Sequence, residues 1–367
     1  METKSRSDVV YLVVVCLVTG FLMKIPQLFN GVPETNFYER NAGLIVLLGL
    51  SAYWFLTSKR LSVKHLIFPL AIFAVSAVYI NLLPPVHYSE TAVNHGYSIT
   101  LACIHLPLFL WCLYGYIFIG FDATNLSKRM DFIIYNGDIA MLSALILIAG
   151  GGLTGMTYAL YSAIGMDISR FYAEYIIVLG LVSAPLVATF IVQHYPLVMR
   201  KLAPTIAGIF SPLVLITLVA FLISVVVTGK DPYNDRDFLL VFNLMLLGVM
   251  ALIVFSVSET SLNKRQRYSV WMLLALSVVS LVVDGVALSA ILYRLGEFGF
   301  TPNRTAVLGS NLLIFGNLVL ISIDLFKVAF NRGEFSGVER TVSRYLPLYA
   351  VWTLIVAFGF PFIFGMK

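Results

Sequence analysis

An all-α, polytopic membrane bundle is the fold this sequence predicts, and three observations carry the prediction. The 367 residues are 59% hydrophobic and only 12% charged, with a mean hydropathy of +0.91, well beyond the roughly 45–50% apolar content of a globular domain. The apolar residues come in continuous runs of about 20 rather than in alternation, which selects membrane helices over barrel strands. The charges gather between those runs. Hydrocarbon offers the backbone no hydrogen-bond partner, so each run must satisfy its own backbone as a helix.

Taken in order, eleven spans are predicted: 9–29, 41–58, 63–83, 98–120, 132–160, 172–195, 204–228, 237–258, 269–293, 305–327 and 345–365. Connections of 4 to 17 residues leave one transmembrane domain over 1–367 and no room for a separate soluble one. The first run is followed by Lys24, Ile25 and Pro26 in place of a small-residue cleavage site, so it reads as a retained helix. Counting every Lys and Arg puts 16 on the side of the N-terminus and 8 on the other. That excess predicts a cytoplasmic N-terminus and, with an odd number of spans, an extracytoplasmic C-terminus.

The same scatter of cations explains the net charge of +5 as membrane orientation and argues against nucleic acid as a partner. Cys16, Cys103 and Cys112 all lie inside apolar runs, where cysteine behaves as a small buried hydrophobe. They suggest no disulfide, metal pair or redox motif. No cofactor is expected.

Charge is densest at the ends of two hairpins expected on the outer side. One follows span seven, with Lys230, Asp231, Asn234, Asp235, Arg236 and Asp237; the other follows span nine, with Arg294, Glu297 and Arg304. Outer loops ordinarily shed Lys and Arg, so this mixed density points either to ion pairs pinning two helix pairs together or to the mouth of a solute site. Two spans read as interrupted: span five at Gly150, Gly151 and Gly152, and span seven at Pro212. Such breaks are tolerated at depth where they face protein or a wet cavity, and the glycines alternatively suit close helix packing. Pro107, Pro185 and Pro361 are candidate kinks.

Polar groups inside the spans are the candidates for function. In span ten Asn303, Ser310, Asn317 and Asp324 recur every seven residues, which returns them to nearly one helix face. The stripe suits either a wet path or hydrogen bonding between helices. In span four Ser98, His105 and Cys112 repeat likewise, and His105 there suits a proton carrier or a histidine satisfied by a neighbour. Asp284 is the deepest carboxylate of span nine, with Ser280 and Ser277 one and two turns away. An ionised carboxylate in hydrocarbon is costly, so it must be paired, hydrated or protonated, and Arg294 or Arg304 are its expected partners. Asn136 and Asp138 open span five, where Asp138 suits the helix N-terminus or a pair with Arg129. Glu34 and Glu39 stand in the first outer loop. No P-loop, HExxH, GxSxG or CxxC motif occurs.

Four stretches, around Tyr135-Asn136-Gly137-Asp138, Phe210-Ser211-Pro212-Leu213, Asp231 to Ser256 and Leu292 to Arg304, make the chain resemble a bacterial multi-spanning family of unassigned function common in Bacteroidota. The resemblance covers about residues 98–330. In that family Glu is usual where this chain has Asp138 and Asp237, and Tyr where it has Phe298, swaps that keep charge or ring. It implies a multi-pass protein of the bacterial inner membrane and no particular activity.

Together these readings predict an inner-membrane permease or channel-like protein for a small polar or anionic solute, with proton coupling as an option. Membrane lipid and that solute are its expected partners. Two alternatives stand beside it. One is an extracytoplasmic-face enzyme transferring a glycosyl or phospho group on a lipid-linked substrate, with Glu34, Glu39, Asp231 or Asp235 as base or metal ligands and Arg294 or Arg304 holding phosphate. The other is a scaffold without catalysis.

Overall fold

The computed structural model describes residues 2–28, 34–58, 62, 64–84, 96–163, 166–228, 236–260 and 266–366. Every regular element among them is helical. In order they are α1 (Glu2–Met23, followed by a short turn Ile25–Leu28), α2 (Glu34–Thr57), α3 (Lys64–Leu82), α4 (Tyr97–Phe118), α5 (Leu126–Ala163), α6 (Ser169–His194), α7 (Pro196–Thr228), α8 (Arg236–Thr260), α9 (Gln266–Phe298), α10 (Pro302–Ala329) and α11 (Phe335–Ile363). Ten of them are long and apolar enough to cross a membrane, and α8 holds the shorter apolar stretch Met245–Val257. The chain is therefore a polytopic helical membrane protein, its eleven helices answering to the eleven predicted spans.

Most helices outrun the apolar runs that announced them. α5 has 38 residues, about 57 Å of rise at 1.5 Å per residue, against a hydrocarbon core of about 30 Å. Spans read from hydropathy stop at the first charges, whereas backbone hydrogen bonding continues into the interface. The helices also run through the expected interruptions. α5 is continuous across Gly150, Gly151 and Gly152, all three exposed, and a Cβ added at any of them would meet nothing within 4 Å. Neither a break nor a close helix contact is built there. α7 likewise passes Pro212 unbroken, while the neighbouring Ser211 hydroxyl is buried against Ser256 on α8 at 3.0 Å. Pro361 is different, because the wide π-turn Ile355–Gly359 lies just ahead of it and absorbs the residue that cannot continue the ladder.

The chain divides into two compact units. The first comprises Met1–Val86, Leu106–Ala123 and Tyr135–Met199. In it α1 packs along α2 and α6, and glycine makes the approach possible: Gly20 abuts the Leu179 side chain, and a Cβ on Gly49 would lie 2.6 Å from Thr19. Small residues at such crossings replace the hydrophobic drive that lipid removes. α2 and α3 are joined by a reciprocal amide pair, Asn41 with Asn81 at 3.0 and 2.8 Å. Arg40 then closes the end of α3 by donating to the carbonyls of Leu83 at 2.8 Å and Pro84 at 2.6 Å, a cation where the helix dipole is negative. Between α5 and α6, the Asp167 carboxyl is held below its ordinary value by Ser169, first through the serine side chain and then through its backbone N–H, which Asp167 accepts at 2.9 Å.

The second unit comprises His87–His105, Thr124–Ile134 and Arg200–Lys367. Its centre is the α9–α10 hairpin. Gly299, at φ 71°, ends α9 in the left-handed conformation that only glycine takes at no cost. Two residues later Thr301 caps α10 by accepting the Arg304 N–H, with Pro302 in the first turn. α8 packs on α9 and α11 packs on α10, around a core that includes Leu246, Ile253, Leu276, Val283, Leu318, Ile321 and Val338. Gly309 on α10 faces the ring of Trp352, which a Cβ would overlap.

Two glycine substitutions check this packing by thermal unfolding in detergent. Gly309→Ala must displace Trp352 and should cost about 1–3 kcal/mol. Gly151→Ala meets nothing and should raise stability by up to about 1 kcal/mol, the helical preference of Ala over Gly.

Candidate functional site: a buried carboxylate among paired helices

The polar stripe of α10 is engaged by α11. Ser310 Oγ accepts the Trp352 indole N–H at 3.1 Å, the Asn317 amide donates to Tyr349 Oη at 3.0 Å, and Asp324 Oδ2 accepts from the Thr341 hydroxyl at 2.6 Å. Asp324 also takes Lys327 Nζ at 2.8 Å, and Asn303 sits half-buried in the first turn. Three of the four stripe positions thus form rungs between two antiparallel helices. The sequence showed the stripe and not its partners, because Trp352 and Tyr349 read as part of an apolar run.

Other faces of the same hairpin are tied in the same manner. Asn311 donates to Asn243 of α8 at 2.7 Å, and Ser322 donates to Ser277 of α9 at 3.0 Å. The Ser277–Ser322 pair fixes the register of α9 against α10. Two turns nearer the hairpin from Ser277 stands Asp284, and its level on α10 is Phe315, so Asn317 lies within about 3 Å of the same depth.

Asp284 is the exception to this pairing. It is 0% exposed, as is Ser277, with Ser280 at 1%, and the three share one face of α9. Neither carboxylate oxygen of Asp284 has a hydrogen-bond partner among the described residues, and the Asn317 Oδ1 is likewise unpartnered at 1% exposure. The expected arginine partners are not there. Arg294 is ten residues along α9, about 15 Å of rise, with its own buried Nη1 unpartnered. Arg304 donates to the Phe298 and Gly299 carbonyls at 2.8 and 2.9 Å and lies over the Phe298 ring. In this unit His105 donates from Nδ1 to the Leu101 carbonyl of its own helix, 2.9 Å away, where a neighbouring helix was expected. Arg129 donates to the Ser343 carbonyl of α11 at 3.0 Å.

Of the expected outer charged cluster, Lys230, Asp231, Asn234 and Asp235 lie outside the described residues, as do the side chains of Arg236 and Asp237. Glu297 and Glu39 are exposed, and the side chain of Glu34 is outside the description.

The first unit holds a second buried polar group that sequence reasoning missed. Asp8, 6% exposed, meets His194 Nε2 at 3.2 Å, joining α1 to α6. Deeper lie Tyr53 and Tyr114, both 0% exposed, and Tyr135. Tyr114 and Tyr135 share a hydrogen bond of 2.9 Å, and the Tyr53 hydroxyl has no partner among the described residues. Asn136 accepts the Trp111 indole N–H at 2.8 Å, and Asp138 is 8% exposed with Oδ1 unpartnered. Asp8 carried a signal, a lone carboxylate at the start of a span. The tyrosines carried none, since aromatic residues in apolar runs are ordinary core.

Stability separates a carboxylate kept for function from one kept for structure. Removing an unpaired buried carboxylate in favour of a packed apolar residue is commonly stabilising. At low ionic strength Asp284→Leu should melt higher than wild type, by about 1–4 kcal/mol. By contrast Asn311→Leu removes the amide bond between Asn311 and Asn243 and should cost about 0.6–2 kcal/mol.

No family model, no curated protein and no solved structure matches this chain, which leaves its own side chains as the ground for assigning function.

Proposed function

We propose that the protein is an inner-membrane permease for a small polar or anionic solute, in which Asp284 is the group that takes up a proton or cation during the transport cycle. One observation carries this reading: a carboxylate with no exposure and no hydrogen-bond partner among the described residues, set in a bundle whose other buried polar groups are mostly paired. An ionisable group inside the membrane is expensive and marks an ion or proton route by default. Such a site works by alternation. Loaded with a positive charge, the carboxylate is neutral and the α9–α10–α11 core can close over it; empty, it favours a state that admits water. Coupling follows because the solute and the positive charge stabilise the same closed state.

Arg294 supports the anionic class of solute. Its Nη1 is buried without a partner among the described residues, and the guanidinium geometry suits a carboxylate or phosphate. The bacterial inner membrane is the location we assign with this function, on the cation asymmetry of the loops.

Flux through proteoliposomes tests the reading. Vesicles challenged with a panel of small carboxylates and phosphates, under imposed proton or sodium gradients, should accumulate at least one solute. Asp284→Asn should reduce that flux by more than about tenfold while leaving the fold intact. Unchanged flux in the variant removes Asp284 from the mechanism, and a wild type that moves none of the panel argues for an enzyme or a scaffold.

A further inference from the structure

Asp8 and His194, in the first unit, form a buried ionisable contact that the permease reading leaves unused. Asp8 stands in the second turn of α1 and is 6% exposed. His194 is the last residue of α6, ahead of the non-helical Tyr195. Its imidazole is held on two sides. The ring stacks on Phe190 with centroids 4.3 Å apart, and Nδ1 donates to the Phe190 carbonyl at 2.9 Å. Nε2 meets Asp8 Oδ2 at 3.2 Å.

A neutral ring is one hydrogen short of these contacts. It carries a single N–H, which the Phe190 carbonyl takes at Nδ1, so Nε2 would turn a lone pair on a carboxylate oxygen. The other tautomer bonds Asp8 and turns a bare Nδ1 on the carbonyl instead. One further proton, on Nε2 or on Oδ2, satisfies both sides. With it the pair has no net charge, which burial favours, and the C-terminus of α6 favours a cationic ring. Few charges crowd the pair. Arg6 and Tyr11 on α1 and Tyr195 at the end of α6 are exposed, and α2 contributes the buried Tyr53, one turn past the Gly49–Thr19 crossing toward Asp8. The side chains of Glu2 and Lys4, with Lys59 and Arg60, lie outside the described residues.

We infer that Asp8 and His194 form a proton-binding site that latches α1 to the end of α6, closed while the proton is held and released when alkali removes it. The latch is independent of the permease reading and shares no residue with the region of Asp284. Asp8→Asn separates the proton from the contact. An asparagine amide donates to Nε2, so a neutral His194 meets both of its partners and the extra proton is no longer needed.

A double-mutant cycle on the purified full chain in detergent isolates this pair from every other titrating group. Thermal midpoints of wild type, Asp8→Ala, His194→Ala and the double variant should show a coupling of about 2–4 °C at about pH 6 that is lost by about pH 9. Asp8→Asn provides a second reading that needs no alanine variant to fold. Its midpoint relative to wild type should rise by the same about 2–4 °C over that pH range, because only wild type loses its latch. A coupling that is equal at both pH values, or absent at both, overturns the site. So does a difference between Asp8→Asn and wild type that stays constant with pH.

Discussion

Hydrocarbon cannot hydrogen-bond, and that single deficit organises this molecule. Each buried polar side chain has to find its partner on another helix or on a carbonyl of its own. The pairs it finds then decide which helices neighbour one another and in what register. Asn41 with Asn81 joins α2 to α3, Asn311 with Asn243 joins α10 to α8, and Ser277 with Ser322 aligns α9 with α10. Apolar packing fills the space between these pairs without choosing among alternative registers, because lipid tails are as apolar as leucine.

Against that background the orphaned groups are informative. Asp284 and the Asn317 oxygen lie at one depth on two helices whose neighbouring rungs are complete. Leaving them unsatisfied costs stability that a leucine would restore, so their retention points to work done at that position. The tyrosine cluster of the first unit presents a milder case. Tyr114 and Tyr135 satisfy one another, and only the Tyr53 hydroxyl is left over.

The architecture was legible in the sequence because length and hydropathy suffice to find a membrane helix. Span ends were less so, since helices such as α5 and α7 extend past the first charge. The seven-residue stripe of α10 announced a polar face, and its chemistry was hidden in residues that hydropathy counts as apolar, Trp352 and Tyr349. Gly150, Gly151 and Gly152 misled in the other direction. Three glycines in a row weaken a helix by about 1 kcal/mol each, yet internal backbone bonds in lipid have no competitor and the helix continues. Asp284 could be picked out from sequence as a costly carboxylate. That neither Arg294 nor Arg304 pairs with it is a fact of three-dimensional register, Arg294 standing about fifteen ångströms along α9 and Arg304 bonded to the Phe298 and Gly299 carbonyls, and no reading of composition supplies it.

The central claim is that Asp284, unpaired among the described residues, takes up a proton or cation in the membrane interior. Infrared difference spectroscopy of the purified protein, on a step of pH or an exchange of choline for sodium, reads the carboxyl group directly. The account predicts a shift of a carboxylate or carboxyl stretching band on at least one of the two, present in wild type and absent in Asp284→Asn. Wild-type and variant difference spectra that superimpose under both would contradict it.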